Sequence, residues 1–339
     1  MLSLSMIVRD EAAQIEDCLR SVQGFVDEMV VVDTGSTDNT VALAQAMGAR
    51  VERIEWPGDF APARNQALQW VSGDWVLVIN LLRHERGAVQ SPYSNVSRLF
   101  RRHPAIRWSR AYHSMVDDSV AELLTQEGHW RIADCPEPAL LHDGYRPDLL
   151  AQGNKPERLR QAMEAELRER PGDPYACAKL GSLEVAEGNL ERGVALLRQG
   201  LEQCPADAHP ERYELLLHLA LAEAGRNPAA AAQLYREALA LPLAPRLNLA
   251  ARLNLAALLL QQGQAEEAEA ICQRATAAAP EIGLGWYNLG LIRRRLGDLA
   301  GALEAYREAR RLQPDHPETH QNLAVALLLG GDIEGARSS

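Results

Sequence analysis

The chain has 339 residues, 47% apolar and 24% charged, the balance of an ordinary soluble globular protein with material for two or three domains. A formal net charge of −11 leaves no basic surplus for a nucleic-acid partner, and no apolar run approaches the roughly 18–20 residues that span a bilayer. Five widely spaced cysteines (18, 135, 177, 204 and 272), with no CxxC, point to reduced thiols in a cytoplasmic protein rather than to a disulfide framework or a zinc site. The opening "MLSLSMIVRDE" lacks the basic region of a signal peptide.

In chain order, residues 2–8 (LSLSMIV) read as a strand. Residues 11–22 carry Ile15, Leu19 and Val22 at helical spacing. Residues 28–35 read as a second strand ending in a turn. Residues 37–48 read as a helix with cap chemistry at Thr37 and Asp38 and a stop at Gly48. A third strand (49–56) and a third helix (61–73) follow. A Gly73-Asp74 turn then introduces the apolar run Trp75 to Ile79, a fourth strand. This β-α-β-α-β-α-β order predicts a mostly parallel, Rossmann-like sheet with right-handed crossovers, helices on its faces, and ligands beyond the carboxyl ends of its strands.

The second half of the chain has a different period. Gly263 and Gly297, Ala268 and Ala302, Ala275 and Ala309, and Pro280 and Pro314 are each 34 apart. One more step reaches Leu323, Gly331 and Ala336 from Leu289, Gly297 and Ala302. Residues 177–205 fit the same template, and 210–245 fit it loosely through Gly225, Ala231, Tyr235 and Ala238. Small residues at fixed positions let paired helices approach, large apolar ones fill the gap to the next pair, and proline ends the second helix. Residues 157–339 resemble the tetratricopeptide repeat (TPR) family, with Trp286, Leu289, Gly290, Ala302, Tyr306, Ala309 and Pro314 on its pattern. The last repeat breaks off after "GDIEGARSS". The resemblance implies an all-α solenoid that docks a protein or peptide on its concave face.

The first quarter carries a second resemblance. "VVDTGSTDNT", "DFAPARN" and "SGDW", in that order within residues 1–79, resemble the family 2 glycosyltransferases, inverting enzymes of GT-A fold. The resemblance implies a nucleotide-sugar donor (UDP-, GDP- or dTDP-linked), with Asp33 reading the uracil or ribose, Arg64 and Asn65 contacting the nucleotide, and Val8 and Glu11 lining the base pocket. For Asp33 a turn or helix-cap role stands beside this one, and for Arg64 a surface role.

The family continues the strand after "SGDW" into an Asp-x-Asp signature whose carboxylates hold Mg²⁺ or Mn²⁺ against the diphosphate. Here there is no aspartate between Asp74 and Asp117. "VLVINLLRHERGA" reads as a join near residues 79–80, where an internal deletion has fused two strands and removed the metal ligands. The rival reading is a metal-independent site with Arg83, His84 or Arg86 neutralising the diphosphate. Downstream, Asp117 and Asp118 are the candidates for the catalytic base, against a helix-cap role, since "VDDSVAELL" also suits a helix start. His113 and His142 are candidates for a phosphate or metal contact, against a packing role. Arg98, Arg101, Arg102, Arg107 and Arg110 crowd one segment, either as a solvated face or as an anion-facing patch.

The expectation is therefore a glycosyltransferase-like domain over 1–150, shortened internally, joined near 146–157 to a TPR domain over 157–339 whose last repeat is cut short. The alternative is a catalytically impaired scaffold or nucleotide-binding protein that has lost its metal site.

Overall fold

The computed structural model describes residues 1–78, 83–85, 93–94, 99–110, 114–133, 140–142 and 155–337. They form two units, one running through His142 and one beginning at Lys155.

The first unit opens with β1 (Leu2–Val8), α1 (Ile15–Val22), β2 (Glu28–Asp33), α2 (Thr40–Ala46), β3 (Arg50–Arg53), α3 (Phe60–Ala67) and β4 (Trp75–Leu77). Four further short strands and a helix follow: β5 (Arg83–Glu85), β6 (Tyr93–Ser94), β7 (Leu99–Arg101), α4 (Asp117–Gln126) and β8 (Leu140–His142). The main sheet runs β3-β2-β1-β4-β7, its first four strands parallel and β7 antiparallel to β4. A second sheet runs β6-β5-β8.

Both faces of the main sheet are covered, which is why β2 is an unbroken apolar run. Val30 and Val32 pack with Val76, Phe100, Trp108 and Ala67 on one face. Val31 packs with Leu4, Ile15, Leu19, Val22 and Ala44 on the other. The amino-terminal edge is closed by polar links. The Met1 ammonium pairs with Asp74 at 3.0 Å, and Glu28 accepts from the Ser72 amide (2.8 Å) and hydroxyl (3.0 Å).

Two helices start later than their sequence suggests, for one reason. Residues 9–14 and 34–39 are consumed by loops whose amide groups are taken by neighbouring side chains, so α1 begins at Ile15 and α2 at Thr40.

The second unit opens with α5 (Lys155–Glu169). Helical hairpins follow: α6 (Pro174–Ala186) with α7 (Leu190–Gln203), α8 (His209–Glu223) with α9 (Pro228–Ala240), and α10 (Leu249–Gln261) with α11 (Ala265–Ala278). The last two are α12 (Gly283–Leu296) with α13 (Leu299–Leu312), and α14 (Pro317–Leu329) with the short α15 (Ile333–Arg337). In four of the hairpins a left-handed glycine (Gly188, Gly263, Gly297, Gly331) makes the turn. The hairpin of α8 and α9 turns without one, and residues 241–248 then lengthen the link to α10. That is why its repeat is faint in the sequence. Small residues sit where helices meet: a Cβ on Gly290 would lie 2.5 Å from the buried ring of Tyr306. The architecture is a mostly parallel α/β sheet followed by a helical-repeat solenoid.

Cys18, Cys177, Cys204 and Cys272 are free thiols, and burial pushes Cys177 up to about 11 and Cys272 up to about 12. Cys135 lies outside the described residues. Among the described residues no helix is long and apolar enough to cross a membrane.

Candidate nucleotide-sugar site

The carboxyl ends of β1 and β2 lie in register, Val8 opposite Asp33, and the loops that leave them are laced together. The Asp10 amide donates to Ser36 Oγ (2.9 Å), the Glu11 amide to Thr40 Oγ1 (2.7 Å) and the Ala12 amide to Asp38 Oδ2 (3.1 Å). In return Asp10 Oδ1 accepts from the amide (2.7 Å) and hydroxyl (3.1 Å) of Thr37. Asp10 holds a left-handed backbone (φ 53°), a conformation that aspartate tolerates better than most residues.

Asp33 closes β2 at this edge. It is 3% exposed, and its carboxylate accepts from the amides of Gly35 (3.3 Å) and Ser36 (3.1 Å) in its own turn. Val8 is buried, and its carbonyl accepts from both the amide and the hydroxyl of Thr34 at 3.0 Å. Glu11 is exposed at the start of the first loop. Partial desolvation, then the Asp38 and Asp10 charges, push its carboxyl above the usual range. The turn-forming reading of Asp33 is thus visible in its bonds. A carboxylate has about four lone-pair sites, so two accepted amide bonds leave capacity for a ligand.

A second group forms where α3 meets the segment before α4. The Arg64 guanidinium lies over the Trp108 ring, 4.8 Å from its centroid. The Asn65 amide grips the backbone of the same residue: Oδ1 accepts from the Trp108 amide (2.7 Å) and Nδ2 donates to its carbonyl (2.9 Å). Ser109 Oγ donates to Asp118 Oδ2 (2.6 Å), and Arg110 spans both oxygens of Asp118 at 3.3 and 3.2 Å. Arg110 is itself left-handed (φ 68°) with its side chain 8% exposed. Ser119, 2% exposed, accepts from the Arg107 amide (3.0 Å) and donates to its carbonyl (2.8 Å). Asp117 is exposed in the first turn of α4.

The structure thus gathers Val8, Glu11 and Asp33 at the loops after β1 and β2, and Arg64, Asn65 and Asp118 along residues 107–110. His113 and Arg86 lie outside the described residues. His142 closes β8 opposite Glu85, and Arg83 and His84 are on β5. The crowded arginines do not act together. Arg101 stacks on Trp75 (5.4 Å), Arg102 donates to the Gly73 carbonyl (3.0 Å), Arg107 pairs with Glu122 (3.0 Å) and Arg110 with Asp118; Arg98 lies outside the described residues. Among the described residues no set of side chains fits a catalytic Mg²⁺ or Mn²⁺. The sequence has no Asp-x-Asp after β4, and among the described residues no three His, Cys, Asp or Glu side chains come together to hold an ion.

Thr40, Trp108, Ser109 and Ser119 are structural partners that the sequence did not single out. The short polar run "TGSTDNT" signals the first, since such side chains bond nearby amides in turns. For Trp108 no local signal exists.

The TPR repeat-containing protein Synpcc7942_0270 of Synechococcus elongatus is 41% identical over 365 residues, covering 99% of this chain and 90% of that protein. The chain belongs to this family. Because the 365 aligned positions exceed the 339 residues of the chain, the TPR relative carries residues with no counterpart here. Residues 3–81 match the model "Glycosyl transferase family 2", and residues 221–282 and 283–316 match tetratricopeptide repeat models. An uncharacterized glycosyltransferase of Rickettsia felis is 39% identical over 79 residues, 23% of this chain and 28% of that protein. Among solved structures, YrrB, "a TPR protein with an unusual peptide-binding site", aligns with 52% of this chain and 88% of its own at 18% identity and a TM-score of 0.44. This TPR protein thus joins a family 2 glycosyltransferase domain to a repeat array.

Proposed function

We propose that the α/β domain, residues 1–150, binds a UDP-, GDP- or dTDP-linked sugar and transfers the sugar to an acceptor, while the repeats, residues 157–339, dock a protein or peptide. The observation that carries this reading is the fall of the family 2 match on β1 to β4, with Asp33 at the carboxyl edge where nucleotides bind in such sheets. Asp33 reads the base or ribose, and the Val8 and Glu11 backbone frames the pocket. Arg64 meets the diphosphate with a planar fork suited to phosphate. Inverting transfer needs a carboxylate to take the proton of the acceptor hydroxyl as its oxygen attacks the sugar carbon and the nucleoside diphosphate leaves. Asp117 and Asp118 are the candidates for that base, Asp118 lying in the grip of Ser109 and Arg110. No step is assigned to a metal ion. His113 and His142 are assigned to phosphate. The free thiols support a cytoplasmic site of action.

The missing acidic pair and the locked Asp118 favour a second reading, in which the domain is an internally shortened transferase that binds the nucleotide without turnover. Hydrolysis of UDP-, GDP- and dTDP-sugars separates the two. The transferase reading expects turnover that falls at least about tenfold in Asp33→Ala and in one of Asp117→Asn and Asp118→Asn. No turnover with retained nucleotide binding leaves the second reading, and turnover unchanged in Asp33→Ala removes Asp33 from the site.

A further inference from the structure

We infer that Asn65 is a positioning residue that presets Arg64 for the nucleotide by fixing the backbone of Trp108. This rests on the reading of Arg64 as a donor-binding residue, and it reassigns Asn65 from a nucleotide contact to a latch.

An asparagine amide has one accepting and one donating end, and here both are spent on a single residue 43 positions away. Accepting from the amide and donating to the carbonyl of Trp108 reproduces the two-point pattern of a hydrogen-bonded pair in an antiparallel ladder. One bond would leave the segment free to pivot; two fix its rotation. The indole that results is 3% exposed and sits edge-on to Phe100, with centroids 6.1 Å apart. Its face carries the Arg64 guanidinium. Arg64 and Asn65 are neighbours on α3, so one turn of helix supplies both the cation and the latch for the surface beneath it. Stacking holds the plane of a guanidinium, so rotamer freedom is spent before a ligand arrives. Ser109 and Arg110, next in the chain, hold Asp118. Residues 108–110 therefore run as one bar from the donor-side arginine to the acceptor-side carboxylate, and Asn65 pins its near end.

A double-mutant cycle on the full chain tests this, with UDP as the probe, calorimetric affinity as the readout and melting temperature recorded separately. Arg64→Ala is expected to weaken UDP about tenfold, the worth of one charge-assisted contact. Asn65→Ala should weaken it nearly as much, and the double variant no more than Arg64→Ala alone. A purely structural latch would lower the melting temperature of Asn65→Ala and leave UDP affinity as in the parent chain; that result overturns the inference, as would independent losses that multiply in the double variant. If Arg64→Ala binds UDP unchanged, the donor-site reading fails first. Should Asn65→Ala not fold, Trp108→Phe replaces it: the latch persists, the stacking surface shrinks, and UDP affinity should fall between the parent and Arg64→Ala. Parent-like affinity in Trp108→Phe counts against the inference.

Discussion

The two halves of the molecule are wired over different distances. In the solenoid the links reach one repeat and stop: Lys179 to Glu214 (2.5 Å), Arg246 to Glu281 (2.9 Å) and Asn322 to Tyr287 (3.3 Å) each join residues 35 apart. In the α/β unit the links span 43 residues (Asn65 to Trp108), 44 (Ser72 to Glu28) and 73 (Met1 to Asp74). A repeat array touches only its neighbours, so it absorbs the irregular hairpin of α8 and α9 without disturbing the rest. A sheet built from distant segments has no such tolerance.

The largest expected effect lies in the solenoid. Tyr306→Ala, at a ring with no exposure, should cost about 3–5 kcal/mol in denaturant unfolding. Hydrogen exchange should place the loss in residues 283–329 and spare 174–278. Tyr306 Oη is buried without a hydrogen-bond partner, so Tyr306→Phe should instead gain about 1 kcal/mol. A global loss of protection in Tyr306→Ala would break the comparison from the solenoid side.

Next, Asn65→Ala should cost about 2–3 kcal/mol, because it strands both polar groups of a buried backbone residue. Its loss of protection should spread over residues 60–126 rather than stay near α3.

A smaller effect is expected at Glu28. Burial pushes its carboxyl up, but hydrogen bonds from Ser3 and Ser72, with help from Arg50, bring it below the usual value. A lowered carboxylate stabilises the fold above the unfolded-state value, and that contribution disappears as pH falls through the folded-state one. The melting-temperature gap between the parent chain and Glu28→Gln should therefore be widest near neutral pH and close on acidification. His218 in the solenoid works in the same direction by another cause: burial lowers it to about 4, so as pH falls from the ordinary histidine range the unfolded chain binds the proton first and stability declines. Smallest of all, Glu214→Gln breaks an ion pair that is partly exposed and should change stability by under about 1 kcal/mol.

These distances also explain what was legible beforehand. The 34-residue period is local information repeated, so the regular hairpins could be read from the spacing of Gly263, Gly297 and Gly331 with their accompanying alanines and prolines. The parallel sheet was legible because Val30 to Val32 are buried on both faces, and Val76 and Val78 are buried in the next apolar run. The motif "VVDTGSTDNT" located Asp33 at a strand end, but not the bonds from Gly35 and Ser36 to its carboxylate. The partner of Asn65 was invisible, since nothing in "DFAPARN" names a tryptophan 43 residues on. Asp118 looked like a base or a cap and emerged as the partner of Arg110, a pairing set by a left-handed backbone that sequence does not announce.

On the proposed reading, the carboxyl edge of the sheet holds a nucleotide without a metal clamp. Thermal shift of the full chain with UDP, GDP and dTDP, in Mn²⁺ and in EDTA, tests it most directly. At least one nucleotide should raise the melting temperature equally in both buffers, and Asp33→Ala should abolish the rise. No shift with any of the three, or a shift that appears only with Mn²⁺, would contradict it.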